Sequence, residues 1–130
     1  MKKYLYIVRL DSFFTEISGD VIGKGEFSIT VLNEGEEHQY PSEGFIRLGK
    51  NETFAPRPYP TICTGTIESE QKVTLHVKVT EHDIQEDDIF INSEFSIHTE
   101  FFEQNVDIVG TDHQCKLSLN ILIENIEIAM

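Results

Sequence analysis

Lys72-Val73-Thr74-Leu75-His76-Val77-Lys78-Val79-Thr80 is the stretch whose reading decides the fold class. Val73, Leu75, Val77 and Val79 fall on one parity, and Lys72, Thr74, His76 and Lys78 fall on the other. Side chains of a strand alternate between two faces, so this is a strand with one dry face and one wet face. That habit belongs to antiparallel sheets covered on one side. Working outward, the segment from Glu26 to Leu32 sets Phe27, Ile29 and Val31 against Glu26, Ser28 and Thr30. The segment from Lys116 to Ile128 sets Leu117, Leu119, Ile121 and Ile123 against Lys116, Ser118 and Asn120, then slips in phase at Ile126 and Ile128. The slip predicts a bulge near Asn125. Tyr4 to Leu10, Phe45 to Leu48, Phe90 to Ile97 and Thr99 to Phe102 carry further β-forming residues. Asp11 to Ser18 and Gln85 to Asp88 offer at most one helical turn each, and Asn33 to Gly44 and Lys50 to Gly65 read as loops. The expectation is an all-β chain, one domain over residues 1–130, folded as an antiparallel β-sandwich of about eight strands. Jelly-roll and immunoglobulin-like strand orders both remain open at this point.

Composition narrows the function. The chain has 130 residues, ten basic and 23 acidic, for a net charge of −13. Contact with nucleic-acid phosphates needs a basic footprint that so few Lys and Arg residues do not provide. Unaided docking on an anionic membrane meets the same objection. Behind Lys2 and Lys3 the apolar run ends at Arg9, too short for a secretory h-region, so a cytoplasmic location is expected. Cys63 and Cys115 then read as free buried thiols rather than a disulfide.

The acids are focused. Glu81-His82-Asp83-Ile84-Gln85-Glu86-Asp87-Asp88 holds five carboxylates in eight residues, directly between two strands. Ser18-Gly19-Asp20-Val21-Ile22-Gly23-Lys24-Gly25-Glu26 carries two acids and also feeds a strand. Clustered carboxylates repel one another, and a hard cation with an oxygen preference, above all calcium, removes that cost. The bland alternatives are a solvated acidic turn and ordinary turn chemistry at the glycines.

The segment Gly23-Lys24-Gly25-Glu26-Phe27-Ser28-Ile29-Thr30-Val31 resembles the Gly-Lys-Ser-Asp-Pro-Tyr-Val-Lys-Val stretch of C2 domains. Val79-Thr80-Glu81-His82-Asp83 followed by Asp88-Ile89-Phe90-Ile91 is similar to that family's third loop, Val-x-Asp-x-Asp, a spacer and Asp-Phe-Ile-Gly. The resemblance implies an eight-stranded C2-like sandwich and a Ca2+ site built from Asp20, Glu26, Glu81, Asp83 and Asp88. The sequence departs from the pattern at several points. Glu replaces Asp at two ligand positions, the third-loop spacer is one residue short, and Asn92 stands where the family has Gly. Leu32 to Gln71 shows no match. Many C2-like domains bind proteins without calcium.

Other chemistry finds less support. His38, His76, His82, His98 and His113 include no pair at structural-zinc spacing, although His113, Cys115, Cys63 and His98 are the set to weigh. No serine sits in a nucleophile elbow, so a non-enzymatic role is expected. Phe54-Ala55-Pro56-Arg57-Pro58-Tyr59-Pro60 has the look of a binding surface, with Phe54, Arg57 and Tyr59 as its anchors. Its bland reading is a rigid loop packed over the sandwich edge. Two function classes follow. One is a C2-like module that binds a divalent cation and then a headgroup or partner protein. The other is a metal-independent acidic interaction protein, of the adaptor or immunity/inhibitor kind, steered by its charge to a basic partner.

Overall fold

The computed structural model describes residues 2–16, 24–68, 72–82, 87–110 and 115–126. Ten strands run in chain order: β1 (Lys3–Thr15), β2 (Gly25–Asn33), β3 (Glu36–Tyr40), β4 (Ile46–Leu48), β5 (Glu52–Phe54), β6 (Thr61–Glu68), β7 (Val73–His82), β8 (Asp88–Ile97), β9 (Glu103–Val109) and β10 (Cys115–Asn125). They form two antiparallel sheets. The first has the order β5-β1-β10-β9 with β6 also on β1, and the second has β3-β2-β7-β8 with β4 also on β2. The two long strands β1 and β2 each take one partner for their first half and another for their second.

The period-two pattern fixes the layers. Phe27, Ile29 and Val31 of β2 and Leu75, Val77 and Val79 of β7 are buried, as are Tyr6, Val8, Leu10, Leu117, Leu119 and Ile121 from the facing sheet. Each parity turns one row of side chains into the space between the sheets, where burial of aliphatic surface stabilises the sandwich. A polar pin crosses this space. The Tyr6 hydroxyl donates to Asn33 Oδ1 at 2.6 Å, and Asn33 Nδ2 donates to the Thr64 carbonyl at 3.1 Å. Burial, with the Cys63 thiol adding to it, pushes the Tyr6 phenol up to about 12, although the bond to Asn33 pulls the other way.

Several expectations are corrected. β1 does not give way to a helical turn after Leu10. It continues to Thr15, and Asp11 is the extra residue at a register shift between Leu10 and Ser12. No bulge lies near Asn125: β10 keeps register with β1 through Tyr4 opposite Asn125, and the strand then ends. The two presumed loops contain strands. β3 reads as polar because it is an edge strand with only Tyr40 packed against the core. β6 hides its alternation because Ile62 and Cys63 are both buried beside a second register shift. The turn read at Gln85 to Asp88 lies largely outside the described residues, and Asp88 itself belongs to β8.

Register also separates the cysteines. Cys63 stands opposite Val8 and Cys115 opposite Thr15, seven residues apart along β1, or about 23 Å at strand rise. That distance forbids a disulfide and a shared metal. Both thiols are free and buried, and burial pushes each up to about 11.

Candidate functional site

The acidic segments leave and enter strands that are hydrogen-bonded neighbours. On β2 and β7, Glu26 lies opposite His82 and Phe27 opposite Glu81. On β7 and β8, Glu81 lies opposite Asp88. The ends of β2, β7 and β8 that carry Glu26, Glu81 and Asp88 therefore lie at the same pole of the sandwich. The end of β1 reaches this pole as well: Asn51 N donates to the Thr15 carbonyl at 2.9 Å, and Lys24 Nζ stands 3.5 Å from Glu52 Oε1. From the far sheet Cys115 lies at the same level, its Sγ 3.9 Å from the Phe90 carbonyl.

The acids occupy different positions there. Glu81 is fully buried. It continues the inward series Leu75, Val77, Val79 and shares a register with Phe27, whose ring packs edge-on against Phe13 and Phe90 with both centroid separations at 5.2 Å. Asp88, its register partner on β8, is exposed. Glu26 belongs to the opposite parity. It is half-buried on the outer face, between Arg47 of β4 and His82 of β7 in register. Asp20 and Asp83 lie outside the described residues. Among the described residues, no three His, Cys, Asp or Glu side chains gather closely enough to hold a metal. Glu81 and Asp88 offer only oxygen donors, which suits a hard cation.

A polar array on the outer face was missed from the sequence. Ser28 Oγ is hydrogen-bonded to His82 Nε2 at 2.7 Å, and His82 Nδ1 stands 3.4 Å from Asp87 Oδ1. The Phe45 ring lies 4.6 Å from the His82 ring. The order resembles that of a nucleophile, a base and an orienting acid. Ser28 is 3% exposed, however, which leaves no approach for an acyl group. The array clasps β2, β7 and the start of β8 together. Outward parity of both Ser28 and His82 was the available signal, but pairing of their strands was not.

The proline-rich segment folds onto the outer face of the first sheet. Phe54 is half-buried against the core, with its ring 6.3 Å from that of Tyr40. The Arg57 guanidinium donates to Asp11 Oδ1 at 2.7 Å and to the Asp11 carbonyl at 2.9 Å. The Tyr59 ring has the guanidinium carbons of Arg9 and Arg57 4.7 and 4.3 Å from its centre. Arg9 in turn donates to Asn120 Oδ1, which also links to Glu103 and Asn105 through its amide. These anchors are engaged with the chain's own residues.

Comparison with solved structures bears on this arrangement. A C2 domain of a plant extended synaptotagmin 1 superposes with a TM-score of 0.62 at 10% identity, covering 95% of this chain and 96% of that one. The fold is C2-like. A C2 domain protein from Ramazzottius varieornatus superposes with a TM-score of 0.55 at 14% identity, covering 96% and 90%. A human GIVD cytosolic phospholipase A2, solved with an inhibitor and terbium chloride, gives a TM-score of 0.63 at 15% identity. The C2-like chain covers 95% of its own length in that match but only 17% of the phospholipase. No family model matches the sequence, and no curated protein matches it. No helix among the described residues is long and apolar enough to cross a membrane.

Proposed function

We propose that this C2-like chain is a non-enzymatic binding module that takes calcium at the pole where Glu26, Glu81 and Asp88 lie on neighbouring strands, and then engages an anionic headgroup or a partner protein. The register supports the reading: it sets the strands bearing Glu26, Glu81 and Asp88 side by side, so that acids distant in sequence share one pole. Asp88 would supply an exposed oxygen and Glu81 a buried one, with Glu26 at the outer margin, and Asp20 and Asp83, which lie outside the described residues, would complete the set. The cation would offset the mutual repulsion of these carboxylates and turn the pole toward positive potential. The terbium in the similar phospholipase structure is a hard cation of the same preference.

The second reading dispenses with metal. It is favoured by the spread of exposed acids away from the pole, at Glu36, Glu37, Glu94, Glu100 and Glu103. Such a surface steers toward a basic protein.

Thermal melts in chelator, in millimolar calcium, in magnesium and in NaCl at matched ionic strength decide between them. Ligand at about 100 times its Kd adds roughly 2.7 kcal/mol. For 130 residues this is a rise of about 10 °C. Calcium alone is expected to give that rise, and Asp83→Asn with Asp88→Asn, or Glu81→Gln, to remove it. Equal melts in every salt would refute the cation and leave the acidic interaction protein.

A further inference from the structure

The pole opposite the acidic one carries an aromatic pair. β8 runs away from Asp88 to Ile97, and the turn that follows reads His98-Thr99-Glu100-Phe101-Phe102-Glu103. Phe101 is 54% exposed and Phe102 86%. The turn is held firmly. Ile123 N donates to the Phe102 carbonyl at 2.8 Å, which extends the β9–β10 ladder by one residue. The Gln104 side chain reaches back across the turn, with Nε2 donating to the His98 carbonyl at 2.5 Å and Oε1 accepting from His98 N at 3.3 Å. Ile126, half-exposed, follows at the same pole, its N–H bonded to the Lys3 carbonyl. A braced turn that points two phenyl rings at water has lost the freedom to fold them away.

We propose that Phe101 and Phe102 form a preorganised anchor for a protein partner whose apolar pocket is rimmed by Lys or Arg. Together the rings expose roughly 300 Å² of apolar surface, about a third of one side of a standard interface. The remainder of the contact falls on polar ground. Glu100 and Glu103 bracket the rings and are exposed, so the pocket's rim must be basic to avoid burying unpaired carboxylates. The same two acids, on a chain of net charge −13, oppose insertion into an anionic leaflet and oppose a second copy of the chain. The proposal rests on the reading of the chain as a binding module, but not on the cation.

The test is run on the full chain in chelator, so that the cation plays no part. Random 16-residue peptides displayed on phage are selected against the wild-type chain and counter-selected against Phe101→Ser/Phe102→Ser, whose melting temperature is first checked against wild type. Enriched peptides are expected to combine aromatic or aliphatic residues with Lys or Arg. As synthetic peptides, they should lose at least ten-fold in affinity on the double variant and weaken on Glu100→Gln/Glu103→Gln. Peptides that bind both chains equally, or no enrichment at all, would overturn the anchor, while the binding module stands or falls on the calcium melts. Binding of phosphatidylcholine vesicles that the double variant loses would overturn it in favour of a lipid surface. Sedimentation showing a dimer that the double variant abolishes would overturn it in favour of self-association.

Discussion

Gly65 is where the sandwich is least tolerant of a single added carbon. It stands opposite Tyr6 in the β1–β6 register, with the Tyr6 ring lying over it. A Cβ at Gly65 would stand 2.7 Å from Tyr6 Cε1 and closer still to Cζ and the hydroxyl. Gly65→Ala therefore displaces the ring, and the displacement breaks the 2.6 Å bond to Asn33. Overpacking a filled core costs about 1–3 kcal/mol. Stranding a buried hydrogen-bonding group costs about 1–3 kcal/mol more. The sum is roughly 2–6 kcal/mol, which for a chain of this length lowers Tm by about 7–22 °C. Circular dichroism melts of wild type, Gly65→Ala, Tyr6→Phe and the double variant separate the two costs. Tyr6→Phe alone should cost about 1–3 kcal/mol, since Asn33 Oδ1 loses its donor while Nδ2 keeps its bond to the Thr64 carbonyl. In the double variant the hydrogen bond is lost only once and the hydroxyl clash is gone. The double cost should fall short of the sum by about 1 kcal/mol or more. A Gly65→Ala melt within about 2 °C of wild type, the scatter of a surface change, would refute the close approach. Strict additivity would refute the link between ring and pin.

Three further outcomes are expected. Burial favours the protonated forms of Cys63, Cys115 and Tyr6, so their stabilising contribution is whole below the unfolded values of 9 and 10 and is lost as pH rises toward about 11 for the thiols and about 12 for the phenol. Urea midpoints should fall steadily above pH 9, by on the order of 2 kcal/mol per group, and a flat profile from pH 8 to 11 would contradict this. A disulfide-exchange dye at pH 8 should react with the native thiols at least about 100-fold more slowly than with the unfolded chain, in step with unfolding in urea. Arg57→Ala removes an exposed ion pair with Asp11 and a stacking contact with Tyr59. Its cost should be about 0.5–1 kcal/mol and shrink in high salt, as read from denaturant midpoints.

The sequence carried the fold where one face is dry. The alternation in β2, β7 and β10 is a direct consequence of burial on a single side, and it specified strands, faces and class. It failed where burial is atypical. β3 borders solvent and turns only Tyr40 onto the core, β5 is three residues long, and β6 buries two consecutive residues at a register shift. The phase slip at Ile126 mimics a bulge, although it marks only the end of β10. At the acidic pole the carboxylates were legible as residues but not as positions. Parity separates Glu26 on the outer face from Glu81 on the inner one, and that separation was available by extending the Val73-to-Val79 series by two residues. The adjacency of the acidic segments was not available, because β2–β7 pairing spans some fifty residues of chain. Likewise, the engagement of Arg57 and Tyr59 by Asp11 and Arg9 depends on a long-range fold-back that local composition does not encode.

The position of Glu81 connects fold to function. Along β7 the inward row reads Val73, Leu75, Val77, Val79, Glu81, and a sandwich concerned only with stability would end that row on another aliphatic residue. Burying a carboxylate carries a desolvation cost that its partners must offset. The acid occupies the last inward place before residues 83–86, where the inter-sheet space meets the acidic pole. The cation proposed above would offset that cost by returning the lost solvation as direct ligation. The proposed cation therefore predicts that any calcium-dependent rise in Tm depends on Glu81 and is lost in Glu81→Gln. The aromatic turn at the other pole carries no such acid in its core, which is why its partner is read from exposed surface and not from a buried charge.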